Sequence, residues 1–155
     1  EFKEKLERLL DIWGEIDGNR PPSNIIGLNP GDEYQLRRGL FALAFETNHS
    51  RGSLGYTIID RRHKLKPEYA NLSGPEIARL RQSGQEVTYV LDVPLVTYLG
   101  DTMPGDYMQL EHVRNSRVLI TECTFTEPDH IDRALAGRHI HVNQLADMLQ
   151  ECNNE

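Results

Sequence analysis

The chain has 155 residues, of which 38% are hydrophobic and 26% charged, as in an ordinary globular domain. Its net charge of −7 argues against a generally basic nucleic-acid-binding protein. No apolar run approaches the roughly 18 residues of a membrane span, so we expect no membrane attachment. The two cysteines, Cys123 and Cys152, provide no disulfide framework, and we expect a reducing, cytoplasmic location.

The first predicted element is an amphipathic helix over residues 2–16, where apolar side chains recur at helical spacing. The other elements are predicted from apolar runs bounded by Gly, Pro and polar clusters. The predicted strands cover residues 24–28, 39–47, 54–60, 86–91, 95–100 and 117–121. Four further helices are predicted. One covers residues 73–84, two others begin at Pro104 and at Pro128, and the last covers residues 142–149. This order predicts a sheet-rich α/β layered domain.

Positive charge is concentrated in one segment of this acidic chain. Residues 61–81 contain six basic side chains and two acidic ones. The basic residues are Arg61, Arg62, Lys64, Lys66, Arg79 and Arg81. Such a run is either a solvated surface or a patch that binds phosphates, and composition alone leaves both interpretations open.

Polar residues with catalytic potential occur where three strand-like segments end. His49, Asp101 and Glu122 occupy these positions, and loops beyond the carboxyl ends of strands are where α/β sheets collect ligands. His139 and His141 precede the last helix. Taken alone, an Asp after a strand is more often a helix cap, and the two histidines are a weak metal signal. Glu122 is less ordinary, because burial of a carboxylate is unfavourable unless a partner is present.

Four motifs, in this order, resemble the tRNase Z (ribonuclease Z) family of the metallo-β-lactamase superfamily, and most closely its plant-type short form. The matching stretches are NHSRGSLGYTI, GDT, TECTF and RHIHVNQLA, within a resemblance that runs from about Ile25 to Leu149. The resemblance implies part of the αβ/βα sandwich of that superfamily. It also implies an endoribonuclease that removes the 3′ trailer from precursor tRNA by phosphodiester hydrolysis.

The resemblance also implies roles for particular residues. His49 is expected to bind one zinc ion and Asp101 to bridge two, while Glu122 and His139 are expected to form a pair that protonates the leaving oxygen. These roles suit the chemistry. Two metal ions roughly 3.5–4 Å apart activate a nucleophile and stabilise phosphate charge, and a histidine held by a carboxylate is a suitable proton donor.

The segment at about 61–92 resembles the family's exosite arm, which grips the elbow of the tRNA. Gly74 and Pro75 match the Gly-Pro of that arm. The six basic residues named above are then expected to contact tRNA phosphates away from the cleaved bond, where they would position the substrate.

The chain also departs from the family pattern. Thr121 stands where the family has His, and Arg138 stands where Gly is usual before His139. Ile140 and His141 replace Ser-Thr. The signature His-x-His-x-Asp-His, which supplies most zinc ligands, does not occur in this sequence. We therefore expect residues 1–155 to form a single partial domain of a longer zinc enzyme. By itself it should hold little zinc and have no nuclease activity, and its open sheet edge should favour a homodimer.

Three alternatives compete with this interpretation. One is another hydrolase of the same fold that acts on a small ester or phosphodiester, and it predicts that the basic segment packs flat against the body. Another is a metal-free relative that only binds RNA or protein. The last is an α/β domain whose polar strand ends are only helix caps.

Overall fold

A computed structural model describes residues 2–150 and 152–154 of the chain. Its centre is a five-stranded sheet in the order β1-β2-β3-β4-β5. The strands are β1 (Glu33–Arg37), β2 (Leu40–Glu46), β3 (Leu54–Leu65), β4 (Thr88–Tyr98) and β5 (Val118–Ile120). The helices are α1 (Phe2–Asp17), α2 (Gly74–Gln82), α3 (Glu111–Arg114), α4 (Ile131–Gly137) and α5 (Val142–Leu149). The predicted α/β class is confirmed.

The sheet topology places several strand ends side by side. Strands β1 to β4 form an antiparallel meander, whereas β5 pairs with β4 in parallel. Strands β2, β4 and β5 therefore run in the same direction, with β3 running the opposite way between β2 and β4. Their carboxyl ends lie together at one end of the sheet, and α/β proteins usually bind ligands beyond such strand ends.

Strands β3 and β4 continue together beyond the rest of the sheet. From the pair Arg61–Asp92 to the pair Leu65–Thr88 their backbones are paired only with each other among the described strands. A short 3₁₀ turn at Pro67–Tyr69 and helix α2 connect their far ends. We call residues 61–92 the ribbon. It coincides with the segment expected to be an arm, while the division of the chain into domains stays a prediction.

Several predicted elements are wrong in detail. Residues 24–28 form no strand, whereas β1 was not predicted, because all five of its residues are exposed and it lacks a buried face. The two strands predicted over residues 86–91 and 95–100 are parts of one strand, β4, which covers residues 88–98. Pro94 is accommodated inside that strand because it lies beside a register shift, and a bulge tolerates the missing N–H group of proline.

The helix predicted to begin at Pro104 is divided into two short pieces. Met103 is still in an extended bridge with Asn48, so helical backbone begins only with the 3₁₀ turn Asp106–Gln109. Leu110 is extended again (φ −67°, ψ 125°) before α3 begins. The helix predicted from Pro128 begins as the 3₁₀ turn Pro128–His130 and continues as α4.

The core lies where one face of the sheet packs against the helical segments that follow β4. Its buried members are Phe45, Leu99, Tyr107, Met108, Val113, Ile140 and Met148. Helix α1 contributes no buried residue, and its Trp13 is 59% exposed and its Ile16 83% exposed. None of the helices in the described ranges combines the length and the apolar character needed to cross a membrane.

Gly55 is required by the packing of Phe45. The two residues are paired across β2 and β3, and a Cβ atom at Gly55 would lie 2.4 Å from the Phe45 ring. Because Phe45 is only 4% exposed and belongs to the core, the ring cannot move aside without disturbing its neighbours.

We predict that Gly55→Ala lowers the free energy of unfolding by about 1–3 kcal/mol, the usual range for an overpacked core. Gly27→Ala is the matched control, since Gly27 has open space around its Cβ position and no positive φ. It should change stability by less than about 1 kcal/mol. Urea unfolding of both variants measures the difference, and equal midpoints would contradict the packing assigned to Phe45.

Candidate active site

The loops after β2 and β4 and the segment after β5 are joined by hydrogen bonds. The Asn48 N–H donates to Thr102 Oγ1 (2.9 Å), and the Met103 N–H donates to the Asn48 carbonyl (3.0 Å). The Thr102 N–H donates to Glu122 Oε1 (3.2 Å). Thr102 is fully buried, so its hydroxyl holds two loops together away from water. The site is therefore built on one corner of the sheet.

Glu122 and His139 form a hydrogen-bonded pair at this corner. Oε1 of Glu122 accepts from His139 Nδ1 (2.8 Å) and from the Ile140 N–H (3.2 Å), while Oε2 accepts from the Thr124 N–H (2.9 Å) and hydroxyl. Burial alone would raise the pKa of Glu122, but these hydrogen bonds outweigh it and hold the pKa below its ordinary value. The carboxylate is thus charged at neutral pH. Because His139 donates from Nδ1, its Nε2 is left for a substrate.

His49 is oriented by Arg138. Its Nδ1 donates to the Arg138 carbonyl (3.0 Å), and the Arg138 guanidinium donates to the His49 carbonyl. The His49 and His139 rings are neighbours, with centroids 5.0 Å apart. An imidazole that donates from Nδ1 to a backbone carbonyl keeps the Nε2 lone pair free, which is how metal-binding histidines are commonly held.

Asp101 lies in the loop next to Thr102, and its side chain is exposed. It has no hydrogen bond or ion pair with the residues that the structure describes. His49 and Asp101 each adjoin a residue of the Asn48–Thr102 bond, so the two loops that carry them are in contact. The structure thus joins His49, Glu122 and His139 directly and places the Asp101 loop beside them.

The metal ligands expected from the sequence form only part of a set within this chain. In the described ranges, no group of three or more His, Cys, Asp or Glu side chains is arranged to hold a metal ion. A firmly held zinc ion needs three or four protein ligands. His49 and Asp101 fit zinc by donor type and, for His49, by ring orientation, but they are too few to hold a dinuclear site without further ligands.

His141 is not a metal-binding partner of His139. It is buried, its Nδ1 accepts from the Asn143 N–H (3.2 Å), and its Nε2 donates to the Glu127 carbonyl (2.9 Å). Nδ1 therefore caps α5, while Nε2 holds the segment before the 3₁₀ turn Pro128–His130, and both ring nitrogens are occupied. The His-x-His spacing considered as a weak metal signal has a structural explanation here.

The prediction that Arg61 contacts RNA conflicts with its surroundings. Its guanidinium binds Glu33 through two hydrogen bonds and Asp92 through two more, and it lies 4.5 Å from the centre of the Phe41 ring. The hydrogen bonds to Asp92 and Glu33 raise the pKa of Arg61, and the bond from Arg61 lowers the pKa of Asp92. Arg61 is thus a structural residue that fixes the base of the ribbon.

The other residues expected to bind RNA lie along the ribbon. Arg62 pairs with Asp60 (2.6 Å) and Lys66 with Glu86 (3.9 Å). Within the ribbon, three exposed Lys and Arg residues have no ion pair to any described residue: Lys64, Arg79 and Arg81. Gly74 and Pro75 occupy the first turn of α2 and are exposed. The ribbon is therefore less positive than its sequence suggests, and its free cations are few.

Comparison with known proteins finds relatives named tRNase Z. The chain is 32% identical to tRNase Z TRZ1 of Arabidopsis thaliana, over 99% of this chain and 56% of that protein. It is 34% identical to the chloroplastic tRNase Z TRZ2 of the same plant, over 93% of this chain and 42% of that protein. Over almost its whole length, this chain is similar to proteins named tRNase Z. The resemblance found in the sequence is confirmed.

Another relative of this chain is the nuclear ribonuclease Z of Triticum aestivum, which is 42% identical over 56% of this chain and 49% of that protein. The chain spans about half the length of these curated relatives. No family model matches it. Because tRNase Z proteins are members of the metallo-β-lactamase superfamily, the expected fold class is confirmed.

Two residues of the candidate site were not predicted from the sequence of this chain. Thr102 organises the corner through its buried hydroxyl, and Arg138 holds His49. The sequence signal for Arg138 was its departure from the Gly of the family pattern, and in the structure its backbone is left-handed (φ 57°). An L-residue there is disfavoured by about 1–2 kcal/mol. Thr102 gave no such signal, because its partners lie far from it in sequence.

We predict that Thr102→Val loosens the corner, because the partly buried Asn48 N–H loses its acceptor. The expected loss of stability is about 1–3 kcal/mol, the usual cost of an unsatisfied buried donor. Hydrogen exchange followed by NMR should show faster exchange of the Asn48 amide. Thr102→Ser keeps the hydroxyl and should retain most of the protection, whereas equal exchange in the wild type and the Val variant would contradict the role of this bond.

Proposed function

We propose that this chain forms part of a zinc-dependent endoribonuclease that removes the 3′ trailer from precursor tRNA. The observation that carries the proposal is the contact between His49 and the Glu122–His139 pair, with the Asp101 loop beside them. The relatives named tRNase Z supply the reaction class, because they match the whole segment that builds this corner.

The residues of the corner suit the hydrolysis of a phosphodiester. When bound, zinc ions would activate the attacking water and neutralise charge on the phosphate oxygens. Nε2 of His49 and the carboxylate of Asp101 would contribute two of their ligands. The protonated His139 ring would donate the Nε2 proton to the leaving sugar oxygen. Glu122 holds that ring through Nδ1 and stabilises its positive charge, so the proton is directed to the other nitrogen.

A precursor tRNA is the substrate that best fits the ribbon. The α2 helix makes no extensive contact with any other described helix or strand, so the ribbon does not pack flat against the body. That geometry favours a large substrate over the small ester of the alternative hydrolase. Lys64, Arg79 and Arg81 would contact phosphates far from the cleaved bond, in the manner of backbone contacts that position RNA.

The corner supports an enzyme over a metal-free binding relative. A protein that only binds RNA has no need of a histidine whose Nε2 is kept free beside a histidine–glutamate pair.

We also propose that the protein forms a homodimer, since the edge strand β1 is wholly exposed and open edges favour pairing. A cytoplasmic location stays a prediction, and the names of two relatives place those proteins in the chloroplast and the nucleus.

We predict that the intact protein cleaves a precursor tRNA at the 3′ end of the tRNA body, and that His139→Ala lowers kcat by roughly 10²–10⁴-fold, as for loss of a general acid. Asp101→Ala should lower the activity and the bound zinc together. Asp132→Ala removes an exposed carboxylate of α4 outside the corner and should behave as wild type. Gel analysis of labelled RNA measures the rates. Unchanged cleavage by both site variants would contradict the assignment.

We further predict that the double variant Arg79→Ala/Arg81→Ala raises KM for precursor tRNA and flattens its salt dependence, because fewer counterions are released on binding. Its kcat should stay near the wild-type value, and hydrolysis of a small phosphodiester should not change. The control Arg8→Ala/Arg38→Ala removes two exposed arginines outside the ribbon. An equal rise of KM in both double variants would contradict an RNA-binding ribbon.

A further inference from the structure

Arg138 has an unusual backbone for its residue type. It follows the last residue of α4 and is the one non-glycine residue with positive φ in the described parts of the chain. Glycine is the usual residue at a left-handed position after a helix, because a side chain is disfavoured there. The family resemblance also places Gly here. The Arg138 side chain makes a contact at this position that a glycine could not make.

That contact is with His49, 89 positions away in sequence. The guanidinium donates to the His49 carbonyl, while the Arg138 carbonyl accepts from His49 Nδ1 at 3.0 Å. One residue thus binds both the backbone and the ring of the other. A glycine would keep the carbonyl that accepts from the ring, but it would lose the bond to the backbone.

Apart from Asn48, which is bonded to the loop after β4, the loop that carries His49 has few other attachments. The Thr47 N–H donates to the Ser53 carbonyl, and the Ser53 N–H donates to the Ser50 carbonyl, so these bonds stay inside the loop. Outside the loop, residues 49–52 form hydrogen bonds with Arg138 and with no other described residue. The order of this segment therefore depends on Arg138.

We propose that Arg138 is a positioning residue for His49. Its guanidinium fixes the loop, so that the imidazole keeps its Nδ1 proton on the Arg138 carbonyl and keeps Nε2 free, with its ring beside His139. The catalytic consequence rests on the proposed function, whereas the effect on the tautomer and order of His49 does not. Arg138 acts through His49 and is not itself a reacting group.

The test compares Arg138→Gly with wild type in the intact protein without added metal. Glycine suits the left-handed backbone, so the variant should unfold at the same temperature as the wild type or a higher one. The ¹⁵N NMR spectrum of the His49 ring should nevertheless change from a dominant Nδ1–H tautomer to a mixture of tautomers. The backbone amides of residues 49–52 should become more mobile on the nanosecond timescale.

The same variants are then assayed on precursor tRNA. Arg138→Gly should lower kcat by roughly 10–100-fold, the usual effect of losing a residue that orients a metal-binding histidine, with KM within twofold of wild type. Arg138→Lys should restore part of kcat, because lysine can also donate to the His49 carbonyl. Arg51→Ala removes an exposed charge from the same loop and should leave both the spectrum and the rate unchanged.

Two results would overturn the proposal. An unchanged His49 tautomer and loop order in Arg138→Gly would show that the carbonyl alone suffices. A raised KM with unchanged kcat would show that the guanidinium contacts the substrate instead. If the wild-type protein cleaves no precursor tRNA, the proposed function fails, while the NMR comparison still decides the role of Arg138.

Discussion

The candidate site depends on the hydrogen bonds that the carboxylate of Glu122 accepts. It accepts hydrogen bonds from Thr102 in the loop after β4, from Thr124 in its own segment, and from His139 and Ile140 before α5. A charged acceptor makes stronger hydrogen bonds than a neutral one. Its lowered pKa keeps it charged at neutral pH. Glu122 therefore orients the His139 ring and holds the surrounding backbone with one group.

The sheet makes this arrangement possible. Strands β2, β4 and β5 run in the same direction, so the residues that follow them meet at one end of the sheet although they are far apart in sequence. Thr102 then ties the first two loops together, and Arg138 ties the first loop to the segment before α5. Each of the four segments at the corner is thus bonded to another. The ribbon is formed by the end of β3 and the start of β4, so it extends from the end of the sheet opposite the corner.

The sequence predicted the elements whose signals are local. Strand β2 was found from its apolar run and α2 from its Pro and Gly boundaries, whereas β1 was missed because it buries no residue. The roles expected for His49, Glu122 and His139 came from the order of family motifs, and they stay predictions. The ion pairs of Arg61 were not predicted, because Glu33 and Asp92, which bind it, lie 28 and 31 positions away. Contacts of this kind depend on strand register, which no local pattern reveals.

The most direct test of this account is the distance between two imidazole rings. Nuclear Overhauser measurements on the intact protein should give a cross-peak between ring protons of His49 and His139, whose centroids are 5.0 Å apart. The absence of that cross-peak, with both rings assigned and ordered, would mean that the strand ends do not build a common site, and the nuclease proposal would lose its structural basis.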